Sequence, residues 1–100
     1  MRLRFEWDKK KAAANLQKHG VSFDEAVTVF DDRLAYIFDD EDHSEAEARE
    51  IIIGYSQRNR LLLVCFVERV INVIRIISAR LATKKERRDY EKNAKRRKVV

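Results

Sequence analysis

Two apolar runs, residues 61–67 and 70–77, stand in the second half of the chain with Glu68 and Arg69 between them. Leu, Val and Phe make up most of the first run and Val and Ile most of the second, and neither contains Gly or Pro. Side chains branched at Cβ and aromatic rings suit a pleated surface better than a helix. Two such runs with a short polar break predict adjacent antiparallel strands. Apolar residues fill both alternating sets, so both faces are covered and the strands are central. Strict alternation places Asn72, Ile74, Ile76, Ser78 and Arg80 on one face and Ile71, Val73, Arg75, Ile77 and Ala79 on the other. Ser78 and Arg80 leave the apolar pattern together. They mark either a polar site at a sheet edge or the place where the strand meets solvent.

The remaining elements follow from caps and periodicity. Residues 3–5 offer a short first strand. Asp8 is an N-cap ahead of a helix over 9–18, rich in Ala and Leu, which closes at Gly20. Ser22 and Glu25 form a capping box, with Val21 and Ala26 as its hydrophobic staple. Phe23, Ala26, Val27 and Phe30 repeat at helical spacing, which predicts a second short helix over 24–30. Strands are expected at 34–38 and 51–55, the latter turning at 56–59 into 61–67. The hairpin between the two apolar runs turns at Glu68 and Arg69 or nearer Asn72, a residue that tolerates positive φ. Thr83 and Glu86 make a second capping box and open a C-terminal helix. Its apolar stripe is only Tyr90 and Ala94, so it is either loosely docked or completed by a partner. Segregated helices and strands indicate an α+β domain over residues 1–100. It has two N-terminal helices, a four-stranded, mainly antiparallel sheet and a C-terminal helix.

Charge adds a regional preference. The net charge is +5, but residues 84–98 carry nine basic and three acidic side chains, leaving the rest close to neutral. A basic helix of this kind attracts phosphates and acidic partners. Residues 39–50 hold seven acids and one Arg, which reads as a solvated loop; a divalent-metal site from Asp39, Asp42 and His43 is the alternative, though no known ligand spacing supports it. No apolar run approaches the roughly 18 residues of a membrane span. The start, MRLRFEWDKK, lacks an apolar signal core, which predicts no export and a cytoplasmic protein. Cys65, the single cysteine, falls mid-strand and reads as a buried inert thiol.

Few chemistries remain. The chain has two glycines and no glycine-rich phosphate loop, no zinc spacing and no motif for a serine triad. Its polar residues suit metal-independent RNA cleavage. That reaction takes a base for the 2′-hydroxyl proton, cations over the phosphorane and an acid for the 5′-oxygen. Arg suits phosphate through its fork of donors, and His or Glu moves protons. The pool is Arg80, Arg69, Arg75, Glu68, His19, His43 and Lys18. Each has a plainer role. His19 ends a helix, Glu68 and Arg69 fit a solvated hairpin pair, and Arg75 fits an ion-pair partner or a surface strand residue.

Three ordered blocks carry a resemblance. They are FEWDKKKAAANLQKHGVSFDEAVTVFDD at 5–32, DDEDHSEAEAREIIIGYS at 39–56, and IRIISAR followed by ERRDYE at 74–91. The chain resembles the BrnT-type toxins over nearly its full length. The resemblance implies a compact RelE-like α+β fold, ribonuclease activity that arrests growth, and a cognate BrnA-type antitoxin; no cofactor or metal is expected. It also implies that the toxin–antitoxin complex represses its own operon, with the antitoxin supplying the DNA-binding domain. The implied catalytic set is Arg80, Ser78, Glu68, Arg69 and His19. RNA contacts fall to Lys18, Arg75, Lys84, Lys85, Arg87 and Arg88. The chain departs from the family at Val70-Ile71-Asn72, where a Gly-Asp type of turn is usual, so the hairpin is longer or differently shaped. The competing expectation is a non-catalytic module that grips nucleic acid or an acidic partner through the basic helix.

Overall fold

The first apolar run forms the middle of the sheet. The computed structural model describes residues 2–41 and 48–98. Strand β1 is Arg4–Glu6, helix α1 Lys9–His19 and helix α2 Phe23–Val27, which tightens into a 3₁₀ turn at Thr28–Asp31. Strands β2 (Tyr36–Asp39), β3 (Arg49–Tyr55), β4 (Leu61–Val70) and β5 (Val73–Leu81) follow, and helix α3 (Lys84–Lys98) ends the chain. The sheet order is β1-β5-β4-β3-β2. Residues 61–67 of β4 are all buried, as expected of a strand covered on both faces.

The α+β class holds, but the sheet has five strands rather than four and is mixed. β1 joins the edge of β5 in parallel, pairing Phe5 with Ile74 and Glu6 with Arg75. Three residues are too few to show a period, and a parallel partner nearly seventy residues away leaves no local signal. The second helix is also shorter than expected, because after Val27 the chain winds into the 3₁₀ turn.

One face of the sheet is covered by α1, α2 and the 3₁₀ turn. Phe23, Val29, Leu62, Phe66 and Ile76 are central to that core. Phe30 bridges it edge-on, 5.1 Å from Phe5 and 5.2 Å from Phe66. Asp8 caps α1 by accepting from the N–H groups of Lys10 and Lys11, and these bonds hold its carboxyl below the usual range. The first capping box forms only in half. Ser22 accepts from the Glu25 N–H at 3.0 Å. The Glu25 carboxylate instead turns inward to the Arg60 guanidinium and the Ser56 hydroxyl, and the Arg60 bonds hold its pKa down.

The other face is covered in part by α3. Tyr90, 4% exposed, packs with Ile53, Leu61 and Leu63, and its hydroxyl donates to Asp32 at 2.6 Å. Arg87 donates to the Tyr55 hydroxyl at 2.9 Å. A buried aromatic and side-chain hydrogen bonds to Asp32 and Tyr55 therefore help dock a helix whose apolar stripe is thin. The half of this face beyond the helix lies open.

Candidate active site

On that open half, β3, β4 and β5 turn a mixed set of side chains outward. Register places Ile51 beside Cys65 beside Ser78, and Ile53 beside Leu63 beside Arg80. A cavity of about 290 Å³ lies over them. Ile51 and Leu63 give it an apolar floor, and His19, Asp40, Arg49, Cys65, Ser78 and Arg80 bring the polar groups.

Two irregularities in the β4–β5 ladder create this arrangement. Cys65 pairs with Ser78 and Phe66 with Ile76, so Ile77 is an extra residue in β5. The bulge reverses the alternation around it. Ile74, Ile76 and Ala79 face the helix-side core, while Ser78 and Arg80 face the cavity. The strict period that grouped Ser78 and Arg80 with Ile74 and Ile76 is therefore broken at Ile77. Ser78 and Arg80 still leave the core together. Arg75, paired with Val67, falls on their side of the sheet.

The second bulge lies between Val67 and Val70. It takes up Glu68 and Arg69, which belong to β4 and not to the hairpin loop. The turn is at Ile71 and Asn72, with Asn72 at φ 68°. Glu68 accepts from the Asn72 N–H at 2.8 Å and so closes this glycine-free turn.

His19 reaches the site from the last turn of α1. Asn15, one turn earlier, lies against the part of β5 that β1 leaves unpaired. Its amide donates to the carbonyl oxygens of Ala79 and Val21, both at 2.9 Å, and its Oδ1 accepts from the Ala79 N–H at 3.1 Å. One side chain thus substitutes for a strand neighbour and fixes α1 beside Ser78 and Arg80.

Arg80 is held from below by α3. Its Nη1 and Nη2 donate to the two oxygens of Glu86, each at 2.9 Å, and Nη1 also donates to the Leu81 carbonyl at 3.2 Å. The Glu86 carboxylate closes the second capping box by accepting from the Thr83 N–H at 2.8 Å. The Arg80 hydrogen bonds above all pull the Glu86 pKa from 4.5 down to about 2, and the same pair raises that of Arg80.

The sequence candidates divide accordingly. His19, Ser78 and Arg80 meet at the cavity. Arg75 lies further along β5 and pairs with Glu6 at 3.1 Å. Glu68 and Arg69 lie by the hairpin tip and do not line the cavity. Glu68 instead acts on Glu50, whose pKa is raised by burial first and then by the Asp39 and Glu68 carboxylates. Lys18, Lys84, Lys85, Arg87 and Arg88 are exposed. Arg49, Asp40 and Cys65 were not singled out for this site. Arg49 had a signal, since it is the single base among the acids of 39–50. Cys65 forms part of the wall, with its Sγ 3.6 Å from Asp40 Oδ2. Asp42 and His43 lie outside the described residues. Among the described residues no three His, Cys, Asp or Glu side chains gather as a metal site.

Comparison with known proteins bears on the family and the fold. The family described as ribonuclease toxin, BrnT, of type II toxin–antitoxin system matches residues 7–86. The crystal structure of the Brucella abortus ribonuclease toxin BrnT superposes with a TM-score of 0.63 at 24% identity, covering 82% of this chain and 99% of that one. Comparison with curated protein sequences gives no match.

Proposed function

Because the chain belongs to the family of ribonuclease toxins, BrnT, of type II toxin–antitoxin systems, we propose that it is a metal-independent endoribonuclease acting on messenger RNA in the cavity over β3–β5. The observation that carries the proposal is the convergence of Arg80, Arg49, His19 and Ser78 on one open cavity. A phosphodiester seated there meets two guanidinium groups, which suit the spread charge of a phosphorane. The 2′-hydroxyl loses its proton to a base and its oxygen attacks phosphorus. The bond to the 5′-oxygen breaks, and an acid protonates the leaving oxygen. His19 is assigned one of these proton transfers, a step worth about 10²–10⁴-fold. Ser78 is assigned a hydrogen bond to a phosphate oxygen. Glu68 and Arg69 have no part in this scheme, since they stand apart from the cavity. Lys84, Lys85, Arg87 and Arg88 are assigned to the RNA backbone beyond the scissile bond, and Lys18 to the same role beside His19.

Membership of a type II family implies a protein antitoxin. We assign that role to a BrnA-type partner that covers the cavity and supplies the DNA-binding part of the complex. The proposal is tested by incubating the purified chain with a structureless RNA, with and without EDTA. Cleavage that survives EDTA and leaves 2′,3′-cyclic phosphate and 5′-hydroxyl ends is expected. An RNA with 2′-O-methyl groups should stay intact. Cleavage abolished by EDTA and restored by a divalent ion would overturn the mechanism. An intact RNA that nevertheless binds in a salt-dependent way would favour the non-catalytic module.

A further inference from the structure

Arg has five N–H donors in a rigid fork. In Arg80, Leu81 and Glu86 take up both N–H groups of Nη1 and one of Nη2. The Nε–H and the second Nη2 N–H lie side by side on the edge of the guanidinium. Neither has a hydrogen-bond partner among the described residues. Two parallel donors of this kind match two oxygens of a phosphate. They are also what Arg80 has left to present to the cavity it lines.

We propose that Glu86 is a positioning residue: it grips the end of the Arg80 guanidinium so that the side fork stays aimed at the scissile phosphate. The inference rests on the ribonuclease reading above and adds a residue from outside the cavity to it. Glu86 can fill this role because it is itself fixed. It stands in the first turn of α3, closes the Thr83 cap in both directions, and lies where the helix dipole favours a carboxylate. It is not a catalytic residue, since it touches only Arg80 and Thr83 through the bonds described. A side chain as long as Arg loses much rotamer freedom when held still. The Glu86 pair imposes that cost on folding, so that RNA meets a prearranged fork. The alternative role for the same pair is a clamp that substrate must displace, which predicts the opposite behaviour.

The test compares kcat/KM on a structureless RNA for the full chain, Glu86→Gln and Thr83→Ala, with the Tm of each. Glu86→Gln removes the charge that holds the fork, and its rate should fall roughly 10²-fold, the scale of a misplaced catalytic group. Thr83→Ala weakens the same helix cap but leaves the Arg80–Glu86 pair, and should cleave within a few-fold of the unaltered protein. Equal losses in the two variants would make Glu86 only a helix cap. A Glu86→Gln variant as fast as the unaltered protein, or faster, would overturn the proposal. A second measurement needs no substitution. Titrating ¹³C,¹⁵N-labelled protein with a 2′-deoxy oligonucleotide should move the Arg80 Nε–H resonance and leave the Glu86 carboxyl carbon in place. Movement of both would mean that the anion displaces Glu86, and the positioning role would fall. Unaltered protein that leaves RNA intact refutes the ribonuclease reading, whereas unaltered protein that cleaves while Glu86→Gln keeps pace refutes this inference alone.

Discussion

Asn15 makes three hydrogen bonds to backbone groups of Ala79 and Val21 in a buried setting. Removing its amide leaves those groups with neither protein nor bulk water. Each orphaned group costs about 1–3 kcal/mol. Asn15→Ala should therefore lower unfolding stability by at least about 3 kcal/mol in urea titrations, and should lower RNA cleavage further by releasing His19 from the edge of β5. Glu50 presents the opposite case. Burial and the neighbouring Asp39 and Glu68 raise its pKa above 4.5, so its ionised form weighs against the native fold. Below pH 4.5 the group is protonated in both states and the penalty vanishes; it is complete above the raised native pKa. Glu50→Gln should raise Tm at pH 7, with the gain fading as the pH falls toward 4. An equal gain at both pH values would contradict this cause.

At the scale of elements, the long strands and the caps were legible, and the ladder irregularities were not. The runs at 61–67 and 70–77 gave β4 and β5, Asp8 and Gly20 bounded α1, and Thr83 with Glu86 opened α3. The bulge at Ile77 is invisible in composition, since Ile suits either face. It decides which way Ser78 and Arg80 point. β1 is too short to read, and its parallel pairing depends on contacts remote in sequence. Glu25 was legible as a cap residue but not as the ion-pair partner of Arg60, because that contact closes only when the β3–β4 turn folds onto α2. Glycine supplies a further test here. A Cβ on Gly54 in β3 would lie 2.8 Å from the Ala35 Cβ and 3.0 Å from Val29 Cγ1, both parts of the packed interior. Gly54→Ala should destabilise the protein by about 1–3 kcal/mol, as overpacked cores do. A neutral result in thermal denaturation would mean that β3 and the 3₁₀ turn separate more freely than their packing implies.

For the whole molecule, a near-neutral body with an open arginine-bearing cavity carries a strongly basic helix beside it. Phosphate contacts made by that helix should give RNA binding a steep salt dependence. Lys85→Ala and Arg88→Ala should each weaken binding across sequences and reduce the slope of log K against log salt by about 0.7, the single-strand value for one phosphate contact. Unchanged slopes would move the RNA path away from α3. The cavity carries the central claim, and its most direct test is RNA cleavage by Arg80→Ala beside the unaltered chain, with Tm measured on both. Arg80 is partly exposed, so loss of its ion pair should cost at most about 1 kcal/mol, while cleavage should fall at least roughly 10²-fold through lost phosphate stabilisation. Cleavage that persists in a folded Arg80→Ala protein, or a Tm that collapses together with activity, would contradict the assignment of this cavity as the site of catalysis.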